Sequence, residues 1–436
     1  MKKRTQLATV FFVVLIDLMG FGIVLPLLPF YAKNFHASAI VVGLLYSVYS
    51  FAQLIFSPIW GSYSDRIGRR PIMLLSTFGA VIAYIMFGLA GSLFVLFASR
   101  VVAGVMGGNI STAQAYISDI TSTEERAKGM GLIGAAFGIG FMVGPALATA
   151  LIHDSLHGFI AGIGLPNVAS WMAANKYALP GFFAAFMSFC SFSLVLFKLP
   201  ETVDKKAKKR SSDRDVRHSV FSRSFWRKLQ AQTGADAKGM LIPLLIAYFI
   251  LTFGQSSLYS AFPLFSKAKL GMSAEQVGMQ FFYIGLIAVF IQGYLIRKLT
   301  KVFKEEHIFT VGNVLMGIGL GLIPFAYDTL TLSIYLGIMA VGFSLNTPTI
   351  MSLISKEAEE ENIGAVMGTS QGISGLGRML GPTWGGFLFG LSIGLPFYLT
   401  ALIIFGAVYI GIKLHQALGL KETKEKEPEP VTESSS

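Results

Sequence analysis

The sequence predicts an all-α membrane protein: twelve transmembrane helices in two six-helix bundles that repeat each other in the same orientation. Three observations carry this. Of the 436 residues 53% are hydrophobic and 14% charged, whereas a soluble chain carries roughly one quarter charged residues. Apolar stretches of about the 20 residues that cross a bilayer recur along the whole chain. The second half also repeats polar residues of the first at a fixed offset of 237 positions.

The stretches run roughly over 7–30, 39–60, 71–91, 93–118, 127–151, 179–197, 240–266, 273–296, 307–326, 329–352, 362–389 and 392–413. The start, MKKRTQLATVFFVVLIDLMG, opens like a secretory signal, but its apolar run passes Asp17 and reaches Pro29 without a small-residue cleavage site. It is expected to remain as the first span. Residues 1–197 then form an amino-terminal six-helix bundle, 198–238 a cytoplasmic linker, 239–414 a carboxyl-terminal six-helix bundle and 415–436 a disordered cytoplasmic tail. The linker carries Lys205, Lys206, Lys208, Lys209 and Arg210, a run suited to anionic lipid. Its segment SVFSRSFWRKL gathers Val220, Phe221, Phe225, Trp226 and Leu229 near one face, as an interfacial helix does.

A net charge of +11 would suggest a nucleic-acid partner in a soluble protein. In the twelve-span topology, however, Lys and Arg crowd the side of the two termini and leave only Lys33, Lys176, Lys267 and Lys269 on the other. That is the positive-inside pattern, which places both termini in the cytoplasm of a multi-pass cell-membrane protein and calls for no nucleic acid. The single cysteine, Cys190, lies in an apolar span and reads as a small buried hydrophobe.

Sliding the chain by 237 residues pairs Asn109 with Asn346, Thr112 with Thr349, Ser118 with Ser355, Glu124 with Glu361, Gly144 with Gly381 and Pro145 with Pro382, without a gap. Shared apolar composition aligns Ala, Met and Gly, not polar residues in register. Spans 4 and 5 therefore correspond to 10 and 11, and an even number of intervening spans makes the repeats parallel. Such a duplication sets a cavity between the bundles at the bilayer midplane.

The loop GSYSDRIGRRPIM, residues 61–73, resembles the signature between helices 2 and 3 of the major facilitator superfamily. Gly61, Asp65, Arg66, Gly68, Arg69, Arg70 and Pro71 stand in place, with Tyr63 where a smaller aliphatic residue is usual. The second-half loop, GYLIRKLTK, keeps the glycine and the basic pair but has Arg297 where the acid would be. Charges at helix ends can change partners when bundles rock. Asp65 is expected to meet the positive amino end of a facing helix near Gly364, and Arg69 or Arg70 to reach Asp119, closing a cytoplasmic gate. The glycines of GLIGAAFGIGFMVGPALATAL, Gly134, Gly138, Gly140 and Gly144, with Pro145, resemble the antiporter motif of proton-coupled exporters in that superfamily. Their twins Gly381 and Pro382 leave open a hinge shared by both halves.

Charges within the spans are Asp17, Arg100 and Arg378, and each needs a cavity, a partner or a span end. Asp17 lies about ten residues into the first span in LIDLMGFGIVLPLLP, which resembles the first helix of the tetracycline-efflux branch. It is the candidate proton-coupling acid. Arg100 tunes that acid, binds an anionic substrate group, or snorkels to the outer interface. Arg378, opposite Phe141 in the repeat, could contact an anionic substrate or act as counter-ion to Asp17. Gln53, Asn109, Gln114, Gln255 and Asn346 are further substrate-cavity candidates, with Tyr46, Tyr49, Phe253, Tyr259 and Phe282 as stacking neighbours. His153 and His157 lie four apart in a long outer loop, roughly 152–178, but no third ligand accompanies them, so no metal is expected.

No GxxxxGKS/T phosphate cradle is present, so transport would run on an ion gradient rather than ATP. The expected function is secondary active transport without enzyme activity or cofactor. The substrate would be a small amphipathic compound or drug, exported in exchange for protons by a monomer in contact with membrane lipid. The alternative is a proton or sodium symporter of an organic anion or other metabolite.

Overall fold

The computed structural model describes residues 3–164, 166–202, 240–357 and 363–425. The basic linker run and its SVFSRSFWRKL segment lie outside the described residues, so neither expectation for them is addressed. Sixteen α-helices occur among the described residues: α1 (Lys3–Asn34), α2 (Ala39–Ile67), α3 (Arg69–Gly88), α4 (Leu93–Met106), α5 (Asn109–Ile120), α6 (Thr123–Ile152), α7 (Asp154–Gly162), α8 (Pro166–Ala174), α9 (Ala178–Lys198), α10 (Leu241–Leu270), α11 (Ala274–Phe290), α12 (Ile296–Val302), α13 (Glu305–Leu322), α14 (Thr329–Lys356), α15 (Ile363–Leu391) and α16 (Leu395–Glu425). Helix is the form these stretches take because hydrocarbon offers no partner to a free N–H or C=O, and a helix satisfies both internally. Among the described residues eleven segments are long and apolar enough to cross a membrane. The remaining expected span, the eleventh, is α15, which is 29 residues long but dilutes its hydropathy with nine glycines and Arg378. Its position explains that composition, since it packs between α10 and α2.

Local chemistry sets the ends and breaks. The expected fourth span divides at Gly107 and Gly108, between α4 and α5. A Cβ on Gly108 would lie 2.7 Å from the Trp60 side chain, so that close approach needs glycine, and two adjacent glycines weaken a helix. The Ser92 hydroxyl caps α4 by accepting from the Val95 amide at 3.3 Å, and a reciprocal Ser273 and Gln276 box starts α11. The eighth span is interrupted by a π-helical turn, Ile291–Leu295, between α11 and α12. The outer loop contains two short helices, α7 and α8. The tail expected to be disordered from 415 continues α16 through Glu425, because HQALGLKETKE is rich in good helix formers; residues 426–436 lie outside the described ones.

Packing reproduces the internal repeat. α1 and α10 occupy the centre: their apolar windows are 61% and 67% buried, against 22–56% for the other spans. α6 packs against α1 on one side and α11 on the other, and its twin α15 packs against α10 and α2. Each of these two glycine-rich helices thus joins its own half to the opposite one. At the α1–α6 crossing a Cβ on Gly144 would lie 2.7 Å from the Gly22 Cα, and one on Gly140 2.6 Å from the Leu18 Cβ. At the α10–α15 crossing a Cβ on Gly381 would lie 2.9 Å from the Ser257 amide. Small residues at these positions let backbones touch, which is how helices associate where lipid removes the hydrophobic drive.

Candidate functional site

The loop at 61–73 folds as a tight joint between α2 and α3. Gly68 has φ of 117°, a left-handed value suited to glycine, and its absent side chain makes room for the Glu201 carboxyl group. Glu201 accepts from the backbone amides of Arg69 at 2.9 Å and Arg70 at 3.2 Å, neutralising the open donors of the α3 amino end. Arg69 is almost buried and makes three contacts. Its Nη1 lies 2.5 Å from Asp65 and donates to Ser64 Oγ at 2.7 Å, while Nε donates to Asp119 Oδ2 at 3.0 Å. Thr202 Oγ1 also donates to Asp119 at 3.0 Å. Of the two arginines expected to reach Asp119, Arg69 does so; Arg70 instead donates to the Leu196 carbonyl at 2.7 Å. Gly61 is buried and Arg66 exposed. Sequence reasoning missed Ser64, Glu201 and Thr202. The trace of Glu201 was an acid just beyond the sixth apolar stretch, on the same side as the basic loop. Contact between Asp65 and the helix end near Gly364 involves side chains outside the described ones.

A second constellation lies at mid-depth. Asn109, the first residue of α5, donates to Asp17 Oδ2 at 2.5 Å, and the other Asp17 oxygen is buried without a partner. No cation pairs with Asp17 among the described residues, so Arg378 is not its counter-ion in this conformation. Asp17 borders a cavity of about 40 Å³ with Phe21, Tyr49, Gln53, Tyr84 and Met106. That space suits water and is far below the roughly 300–1,000 Å³ of a drug-sized pocket. Gln53 donates to the Gly107 carbonyl at 3.3 Å, using the break between α4 and α5.

Around this cavity aromatic rings cross from one half to the other. Phe21 meets Tyr49 and Phe141 at 5.2 and 5.7 Å, Phe141 stacks on Tyr259 at 6.4 Å, and Tyr46 meets Tyr259 at 6.5 Å. Phe253 and Trp384 add a pair 5.9 Å apart on the other flank. Arg378 is half-buried on α15, donates to Ser374 Oγ at 2.6 Å and has no carboxylate partner among the described residues. Gln255 is half-buried on α10, and Gln114 is half-buried on α5.

Two expectations are corrected. Arg100 does not snorkel: it is 2% exposed, its guanidinium lies 4.9 Å from the Phe87 ring centre, and Nη2 is buried without a partner. Asn346 does not face the cavity. It is fully buried between α13 and α14, where its amide is placed to donate to the Phe309 carbonyl at 3.0 Å and accept from the Asn313 amide at 3.2 Å. Its repeat mate Asn109 bonds an acid that the second half lacks, since α10 contains no Asp or Glu. His153 caps α7 by accepting from the Ser155 amide at 3.2 Å.

The two halves meet from mid-depth to the side away from the termini. Ser47 Oγ accepts from Thr383 Oγ1 at 2.7 Å between α2 and α15, and Gly285 packs on Met142 between α11 and α6. A Cβ on Gly138 would lie 3.6 Å from Val289, whereas one on Gly134, one turn nearer the terminal side, would meet open space. Among the described residues these contacts join the two halves on the side away from the termini.

Comparison with known proteins agrees with this architecture. The chain is 27% identical over 408 residues to multidrug resistance protein 2 of Bacillus subtilis, covering 92% of this chain and 94% of that one. It is 27% identical over 433 residues to the class E tetracycline resistance protein of Escherichia coli, covering 95% and 97%. Among solved structures, a bacterial homologue of the human lysosomal transporter Spinster superposes with a TM-score of 0.71 at 15% identity, covering 96% of each chain. The human organic anion transporter MFSD10 does so with 0.67 at 23% identity, covering 94% of this chain and all of that one. The profile of the Major Facilitator Superfamily matches residues 10–382 and again 244–435, so two lobes, the signature loop and the sequence profile agree: the chain belongs to the Major Facilitator Superfamily.

Proposed function

We propose that the protein is a proton-coupled antiporter that exports a small amphipathic compound by alternating access. The observation that carries this is the Asp17 carboxylate, held by Asn109 on one oxygen and buried without a partner on the other, beside a small cavity walled by aromatic residues of the amino-terminal half. A lone intramembrane acid of this kind can exchange a proton between the two faces as the lobes rock. Residues 1–197 and 239–414 serve as the rocking bodies, and both chain ends lie in the cytoplasm of the cell membrane, in keeping with the Lys and Arg bias. The conformation described is then closed outside, and the Asp65, Arg69 and Asp119 cluster guards the cytoplasmic side. The names of the drug- and tetracycline-resistance relatives support export of a drug-like compound. Reconstituted in proteoliposomes with an imposed pH gradient, the protein is expected to drive flux of such a compound, and Asp17→Asn to abolish it while leaving folded protein in the membrane. Unchanged gradient-driven flux in that variant removes Asp17 from coupling.

A second reading, proton-coupled symport of an organic anion, is favoured by Arg378, a half-buried cation whose described partner is a hydroxyl. The two readings differ in a sign. An anion at Arg378 is attracted more strongly once Asp17 is neutral, so proton and anion bind together and move in one direction. A neutral or cationic amphipath held at the Asp17 carboxylate competes with the proton and moves against it. Substrate affinity that rises on acidification selects symport; affinity that falls selects antiport.

A further inference from the structure

The four lysines on the side away from the termini run against the charge bias of the rest of the chain. Three of them are engaged by the fold. Lys269 stays within its own half, donating to the Pro324 carbonyl and lying 5.7 Å from the Phe265 ring centre. Lys267 reaches from α10 to the other half, 5.4 Å from the ring centre of Phe30 on α1. Lys176 also crosses: its Nζ lies 2.7 Å from Glu275 Oε1 on α11 and 3.9 Å from Asp154 on α7.

The long outer loop supplies the arm that makes this crossing. Trp171 of α8 stacks on Phe182 of α9 at 6.2 Å, and Tyr177 lies 5.2 Å from Tyr31 of α1, so the arm is fixed to the amino-terminal half. Lys176 projects between those anchors. On the facing half Glu275 stands in the first turn of α11, where Ser273 Oγ donates to its Oε2 at 3.1 Å. The Glu275 backbone carbonyl accepts from Thr149 Oγ1 of α6 at 3.3 Å, so the same turn is gripped by side chain and main chain. The Lys176 and Glu275 side chains retain 35% and 24% exposure, although Glu275 Oε1 is itself buried, so solvent partly screens the pair and it can part within a transport cycle.

We propose that Lys176 and Glu275 form an outer latch, carried on the α7–α8 arm, that biases the protein toward the outside-closed state and must part for the cavity to open outward. The long loop is then a gate element, and Lys176 is the outer lysine whose ion pair closes it. The latch works at the opposite end from the signature loop, so the two charge clusters oppose each other across the rocking equilibrium.

The test needs no knowledge of the substrate. In a Cys190→Ser background, Ser47→Cys reports outer opening, because Ser47 is 6% exposed and lies at the contact with Thr383. Lys176→Glu and Glu275→Lys are each expected to raise its labelling rate by an outside, membrane-impermeant maleimide about two- to fivefold, the bias that a partly exposed ion pair supports. The charge-swapped double variant is expected to return the rate toward background. Lys176→Gln and Glu275→Gln carry the same comparison if a reversed charge prevents folding. Unchanged labelling in the single variants overturns the latch, and so does raised labelling that the swap fails to reverse.

Discussion

Asn109 and Asn346 occupy equivalent places in the repeat yet meet different partners, and that difference separates chemistry from architecture at the scale of single residues. Asn109 donates to the Asp17 carboxylate at 2.5 Å, whereas Asn346 bridges α13 and α14 through backbone groups of Phe309 and Asn313. Leaving a buried polar group unpaired costs about 1–3 kcal/mol, so each truncation should be felt, but in a different observable. Asn109→Ala is expected to lower gradient-driven flux by about tenfold, equivalent to ~1.4 kcal/mol, while the thermal midpoint moves little. Asn346→Ala should lower the thermal midpoint by a few degrees and leave flux per folded molecule unchanged. Flux and differential scanning fluorimetry on both variants check the pair; the same response from both would contradict the division of roles. Nothing in the two sequence neighbourhoods separates them, because the difference is made by Asp17 on another helix and the absence of any acid from α10.

Within α6 the five small or bent positions of the glycine motif are not equivalent, and this is the scale at which the element shows its use. Gly140 and Gly144 touch α1, Gly138 lies near Val289 of α11, and Gly134 faces open space. A Cβ on Gly144 would lie 2.7 Å from a backbone atom that has no side chain to move. Gly144→Val is expected to destabilise the protein by about 1–3 kcal/mol, the usual range for overpacking. Gly134→Ala should be neutral or stabilising by up to about 1 kcal/mol through helix propensity. Melting in detergent checks both, and equal sensitivity at the two sites would contradict the packing described. The helices, the repeat and the small-residue crossings were legible in the sequence because apolar length, register and glycine spacing are local properties. The break at Gly107 and Gly108, the two helices of the outer loop and the burial of Arg100 were not. Each depends on what another helix presents: Trp60 beside Gly108, Phe182 under Trp171, Phe87 under Arg100.

For the molecule as a whole, the signature loop is informative through the charges it leaves uncommitted. Asp65, Arg69 and Asp119 belong to the amino-terminal half and Glu201 to the start of the linker that follows it, and their described contacts do not reach the second half. Asp65 is 49% exposed and shares Arg69 with Asp119, so a second charge holds the arginine if Asp65 turns elsewhere. In the proposed cycle it turns toward the positive amino end of α15 when the terminal side closes, an interaction worth about 0.3–1 kcal/mol. Asp65→Asn removes that reward from one state alone. The protein should then dwell in the outside-closed state, and gradient-driven flux should fall about two- to fivefold with substrate affinity unchanged at the terminal side. Asp119→Asn acts differently, because it takes away the carboxylate that keeps the nearly buried Arg69 paired when Asp65 leaves. Its cost falls on the closed terminal state as well, and the double variant should exceed either single loss. Flux and equilibrium binding measured on the three variants check this, and a loss of affinity with normal turnover in Asp65→Asn would assign the residue to the substrate path instead of the gate.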